Sequence, residues 1–179
     1  MKYAAFFRNL NLGRPNCPGK TQLEEAFVRA GADFASSFLT NGTVVFEVSA
    51  GTTATAILVS AQRTLQLQCG LAEPAFLRSL GHLKKLMALE PFASIQRSEV
   101  HECCVSFLSP TRNMLPGIPA ESRRRNVEVL RITKTEVLSV SRKIGNTPGS
   151  PNAFLEKILG EAVTTRAWNT VVRLVHRYG

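Results

Sequence analysis

Aspartate is almost missing from this chain of 179 residues: Asp33 is the single example. Hydrolysis by paired aspartates, and magnesium sites built on them, are therefore poorly supported. The phosphate-binding pattern G-x-x-x-x-G-K-[ST] and the serine elbow G-x-S-x-G are also missing, so neither a nucleotide fingerprint nor a serine nucleophile is signalled. No apolar run reaches the roughly 18 residues that a membrane-spanning helix needs. The opening residues Met1 to Arg8 meet charge too early for a secretory signal, so a cytoplasmic protein is expected. The cysteines Cys17, Cys69, Cys103 and Cys104 form no C-x-x-C pair and have no histidine at zinc-ligand spacing. Cys103 and Cys104 are adjacent and would point to opposite faces of a strand, so all four read as free, largely buried thiols. Neither a metal nor a cofactor is expected.

What the chain has in excess is positive charge. Lysine and arginine number 22 against 13 acidic residues, for a net +9 and a pI near 10.0. Arginine dominates, and its planar fork matches carboxylate and phosphate oxygens two at a time. An anionic partner is favoured, although an arginine-rich composition would give the same balance without one.

Read in order, the first third gives strand, helix, two strands, helix, strand. Tyr3–Phe7 is an apolar run of strand length. Residues 9–19 hold two prolines and two glycines, and read as a loop. Thr21 and Glu24 are spaced as a capping box for a helix reaching Ala30. Asn41-Gly42 marks a hairpin between strands Phe34–Thr40 and Thr43–Val48. A helix over 53–69 stops at Gly70, and a strand follows at Ala75–Arg78. This β-α-β-β-α-β order is ferredoxin-like, and the fold class expected is α+β with two subdomains. The first subdomain is placed at 1–79 plus 150–179, with the C-terminal helices packing back on it, and a second α+β subdomain at 80–149. Within the second, strands are expected at 99–108, 126–133 and 136–142, with a proline-rich loop at 109–119. Ser150-Pro151 opens a helix that ends at Gly160. Val163–Tyr178 reads as one helix capped by Thr164 or Thr165, with Trp168, Val171, Val172 and Val175 on its apolar stripe. Arg166, Asn169, Thr170, Arg173 and Arg177 fall on its other face.

Three stretches resemble the bacterial domain-of-unknown-function family numbered 1697. Phe7–Arg14 (FRNLNLGR) is similar to that family's LRGINVGG, Phe38–Phe46 (FLTNGTVVF) to its YIQSGNVVF, and Thr165–Val171 (TRAWNTV) to its TRNWNTV. Glu90-Pro91-Phe92 resembles a further shared Asn-Pro-Phe turn. The resemblance implies two ferredoxin-like or related α+β subdomains and no settled activity. This chain departs from it at Asn9 and Arg14, where the family has glycine, and at Thr40 and Thr43, where it has polar amides.

Two sets of residues stand out as candidate sites. Arg8, Asn11, Gly13 and Arg14 would converge with Arg166 and Asn169 on a positive pocket, in which backbone N–H groups, a helix start and arginine forks hold a phosphate or carboxylate. The alternative is structural: Arg8 and Arg166 tie down loop ends and helix termini, and Asn11 caps a turn. Arg123, Arg124 and Arg125, with Arg173 and Arg177, are the second set, suited to nucleic-acid phosphates or to plain solvation. Trp168 can stack a base, or belong to the core. The function expected is binding of an anionic partner, either nucleic acid or a phosphorylated small molecule. An enzyme acting on a phosphorylated or carboxylated metabolite, and a purely structural or interaction protein, are the rival readings.

Overall fold

The computed structural model describes residues 1–109 and 117–179, and the chain divides into two compact units, Met1–Lys84 with Leu174–Gly179, and Lys85–Arg173. In the first unit, strand β1 (Lys2–Phe7) is followed by helix α1 (Lys20–Arg29), strands β2 (Phe34–Phe38) and β3 (Thr43–Glu47), helix α2 (Ala54–Cys69) and strand β4 (Ala75–Ser79). The sheet runs β2-β3-β1-β4, antiparallel throughout, which is the ferredoxin-like arrangement expected from the element order. Because side chains alternate across a strand, Ala5, Phe7, Val44 and Phe46 share one face. Leu23 and Phe27 of α1 and Ile57 and Leu65 of α2 close over that face as one core.

Local details refine the expected capping. Gly19, not Thr21, caps α1, and its N–H donates to the side chain of Gln22 at 2.8 Å. Glu24 is turned elsewhere: its carboxylate accepts from the backbone N–H (2.8 Å) and hydroxyl (2.9 Å) of Ser37 on the outer strand β2. Charge at an edge strand blunts its tendency to pair with another chain. The hairpin loop comprises four residues, 39–42, rather than the two that Asn41-Gly42 suggests, with Phe38 opposite Thr43 and Leu39 at φ 61°. Gly42 is required twice over. Its φ is 69°, and a Cβ there would lie 2.7 Å from the Cβ of Leu10.

Helix α3 (Leu80–Ala88) carries the chain across the division. The second unit then places strands β5 (Glu102–Phe107), β6 (Val127–Ile132) and β7 (Glu136–Ser141), a small hairpin of β8 (Lys143–Ile144) and β9 (Thr147–Pro148), helix α4 (Pro151–Leu159), strand β10 (Thr164–Ala167) and helix α5 (Trp168–Tyr178). Ser150 caps α4 by accepting from the N–H of Ala153, and Gly160 ends it at φ 66°, both where the sequence signals lie. Part of the expected 109–119 loop lies outside the described residues.

Two expectations are corrected here. Residues 164–167 are a strand, not the first turn of the terminal helix, because β-branched Thr164 and Thr165 pair with Phe107 and Ser106 of β5. Residues 150–173, expected with the first subdomain, fall in the second unit. There Leu155 and Leu159 of α4 pack with Val137 and Val163. The second sheet runs β10-β5-β7-β6, so its fourth, first, third and second strands lie side by side as in the first sheet. On α5 the buried stripe is Trp168, Val171, Leu174 and Val175. Val172 is only half-buried.

Candidate functional site

The loop after β1 is held mostly by its own backbone. The N–H groups of Leu12, Gly13 and Arg14 donate to the carbonyls of Thr40 (2.9 Å), Pro18 (3.1 Å) and Asn11 (3.3 Å). These are donors that an anion nest would have turned outward. Arg8 Nη1 donates to Glu73 Oε2 at 2.8 Å, and Asn9 Nδ2 reaches the same carboxylate at 3.4 Å. Asn9 sits at φ 48°, which explains the departure from glycine: asparagine is among the side chains best tolerated in left-handed backbone. Asn11, Gly13 and Arg14 are exposed. Beside this loop, Asn9, Pro15, Asn16, Cys17, Leu71 and Glu73 line an open cavity of about 410 Å³.

In the second unit, Arg166 stands on β10 rather than on a helix. Its Nη1 donates to Thr164 Oγ1 (2.8 Å) and to the Thr165 carbonyl (3.0 Å). Burial pushes its pKa down to about 10, because a desolvated guanidinium loses hydration that favours its charge. Asn169 is exposed in the first turn of α5. Trp168 is a core residue, its ring 5.4 Å from that of Phe92, so the Glu90-Pro91-Phe92 turn delivers a packing partner. The candidate pocket residues thus fall into two groups: Arg8, Asn11, Gly13 and Arg14 in the first unit, Arg166 and Asn169 in the second.

The arginine run lies on the surface. Arg123, Arg124 and Arg125 are exposed in a turn organised by Ser122, whose hydroxyl accepts from the N–H groups of Asn126 and Val127. Arg125 takes a left-handed φ of 54° and its Nε lies 3.7 Å from Glu121. Arg173 and Arg177 are exposed on α5, the latter 5.3 Å over the ring of Tyr178.

Strand pairing gathers further basic side chains near that turn. The N–H of Arg142 donates to the Asn126 carbonyl at 2.9 Å, and the N–H of His101 to the Ser141 carbonyl at 2.7 Å. The start of β5, the start of β6 and the end of β7 therefore meet at one end of the sheet. A cleft of about 370 Å³ opens there, lined by Ser98, Glu99, Val100, His101, Arg142 and Lys143. Glu128 Oε2 accepts from Arg142 Nη1 at 2.6 Å and fixes that guanidinium. Sequence reasoning missed this cleft, since His101 stood alone and Arg142-Lys143 closed a strand. Only the register of β5 against β7 joins them.

Among the described residues, no three histidine, cysteine or acidic side chains gather as a metal site, and no helix is long and apolar enough to cross a membrane. The thiols of Cys103 and Cys104 are buried, and desolvation pushes the latter's pKa up to about 12, the opposite of what a nucleophile needs.

Comparison with known proteins gives a family and a fold. Residues 1–138 match the model of a family described as a protein of unknown function, DUF1697. The TRAWNTV stretch lies beyond that match. No curated protein matches the chain. A conserved bacterial protein from Streptococcus pneumoniae has a similar solved structure, with a TM-score of 0.66 at 14% identity, covering 98% of this chain and 97% of that one. That likeness is one of fold.

Proposed function

The chain belongs to the DUF1697 family, and from that premise we propose that it is a binding protein for single-stranded nucleic acid, engaged through its phosphates by exposed arginines of the second unit. One observation carries the reading. The motif arginines are engaged by protein partners, half-buried Arg8 by Glu73 and buried Arg166 by Thr164 and Thr165, whereas Arg123, Arg124 and Arg125 stand together exposed. Exposed arginines can follow a flexible phosphate chain without reading its bases. Arg173 and Arg177 supply further positive charge, and the net +9 favours fast encounter with a polyanion. A cytoplasmic setting belongs to this reading and suits the four free cysteines.

The competing reading is a phosphorylated small molecule, held in the first unit by Arg8, Asn11, Gly13 and Arg14 or in the second by Arg166 and Asn169. Titration with labelled single-stranded RNA and with nucleotide phosphates, at low and high salt, separates the two. Nucleic-acid binding should weaken steeply with salt, with a slope of about 0.7 per phosphate neutralised. Replacing Arg123, Arg124 and Arg125 by alanine should lower affinity at least tenfold and flatten the slope by about two to three, since each lost contact removes about one. Saturable nucleotide binding that ignores those three arginines but vanishes in Arg8→Ala would overturn the proposal.

A further inference from the structure

We propose that the cleft at the end of the second sheet is a seat for a terminal phosphate, so that the protein prefers nucleic acid ending in a phosphomonoester over the same strand ending in a hydroxyl. The proposal rests on the reading above, to which it adds the part of the partner that is recognised. Donors come from two neighbouring segments: His101 just before β5, and Arg142 with Lys143 where β7 gives way to β8. A phosphodiester within a chain carries one shared charge and two free oxygens. A terminal phosphomonoester carries up to two charges and three free oxygens, so it can be approached from several sides at once. Converging charge-assisted donors therefore favour the monoester, whereas arginines spread along the 123–125 turn treat every phosphate alike.

The geometry adds order to the charge. Glu128 holds Arg142 through one nitrogen, which orients the planar fork and leaves the donors of its other nitrogens for an oxygen pair. Lys143 is exposed and its ammonium can swing to a ligand; His101 is exposed on the neighbouring segment. The volume of about 370 Å³ suits a phosphate with part of its nucleotide. Glu99 also lines the cleft and opposes an anion there, which makes it a handle for the test.

The experiment compares one single-stranded RNA carrying a 5′-phosphate, a 3′-phosphate or hydroxyl ends. A phosphorylated end should tighten binding about tenfold, the scale of one charge-assisted hydrogen bond. In the double variant Arg142→Gln, Lys143→Ala the ratio should collapse to about one, and in Glu99→Gln it should rise. A nucleoside monophosphate added as competitor distinguishes sources: displacement of the phosphorylated strand down to the hydroxyl-ended level means the phosphomonoester suffices without the chain. Equal binding of all three strands by the unaltered protein, or a preference that survives the double variant, overturns the terminal-phosphate seat while leaving the nucleic-acid reading standing. Absence of RNA binding at low salt removes both.

Discussion

The two four-stranded sheets share one strand order and differ in how they are finished. The first carries two helices on a single face, α1 and α2, and both are announced by periodic apolar residues and terminal glycines. The second repeats the order with α4. Its central strands β5 and β7 are buried at nearly every position, although each carries a glutamate and at least one serine among its apolar residues. Buried within this sheet are Glu136, whose carboxylate accepts from the hydroxyls of Thr133 (2.8 Å) and Thr135 (3.0 Å), and the vicinal thiols of β5. The same topology thus accommodates a lining of aliphatic and phenylalanine side chains in one case and one with buried polar groups in the other. Glu136 brings its partners with it, whereas the buried hydroxyl of Ser139 on β7 meets no partner among the described residues.

The largest expected effects come from one internal glycine in each unit where a side chain has no room. At Gly149 a Cβ would fall 2.0 Å from the carbonyl oxygen of Asn126, which is backbone and cannot yield cheaply. Gly149→Ala should cost about 3 kcal/mol or more in a urea titration, the range of severe overpacking. At Gly42 the obstacle is the Leu10 side chain together with a left-handed φ, and about 2 kcal/mol is expected for Gly42→Ala. If Gly149→Ala proved the milder of the two, the turn between β7 and α4 would be more pliant than its packing implies.

A smaller effect separates the sheets by pH. Burial raises the Cys103 and Cys104 thiols, the latter to about 12 from an ordinary 9.0. A raised folded pKa gives stability that is complete below pH 9 and is lost progressively as pH rises toward 12. The buried guanidinium of Arg166 works with the opposite sign, since its lowered pKa of about 10 relieves the folded state only above pH 10. Between pH 9 and 10 the thiols dominate, and a loss of roughly 1 kcal/mol is expected there. The fluorescence of Trp168, in the second unit, reports it directly. Cys104→Ala should flatten the profile, and an unchanged profile in that variant would assign the loss to another group.

The smallest effect tests the role given to the motif arginine. The Arg8–Glu73 pair is partly exposed, with side chains 25% and 32% accessible, so Arg8→Ala should cost no more than about 1 kcal/mol and leave RNA affinity close to that of the unaltered protein. A large drop in RNA affinity with stability intact would move Arg8 into the binding surface.

How much of this was legible varied along the chain with the range of the forces involved. Thr53 and Gly70 bracket α2, and Ser150 and Gly160 bracket α4, at positions that side-chain chemistry alone dictates. By contrast, Thr164 and Thr165 offer a helix-capping hydroxyl and strand-favouring branching together, and nothing nearby chooses between them. Capping at Thr21 failed for a similar reason, because Glu24 found a better partner in Ser37, one strand away.

The sequence by itself determined the β-α-β-β-α-β opening, the helix ends and the excess of positive charge, because periodicity, caps and composition act within a few residues. Tertiary structure alone decided that TTRA becomes an edge strand on β5, that Arg8 and Arg166 are taken up internally, and that His101, Arg142 and Lys143 meet at one cleft. Those outcomes depend on hydrogen bonds between segments far apart in the chain, whose register no local pattern encodes.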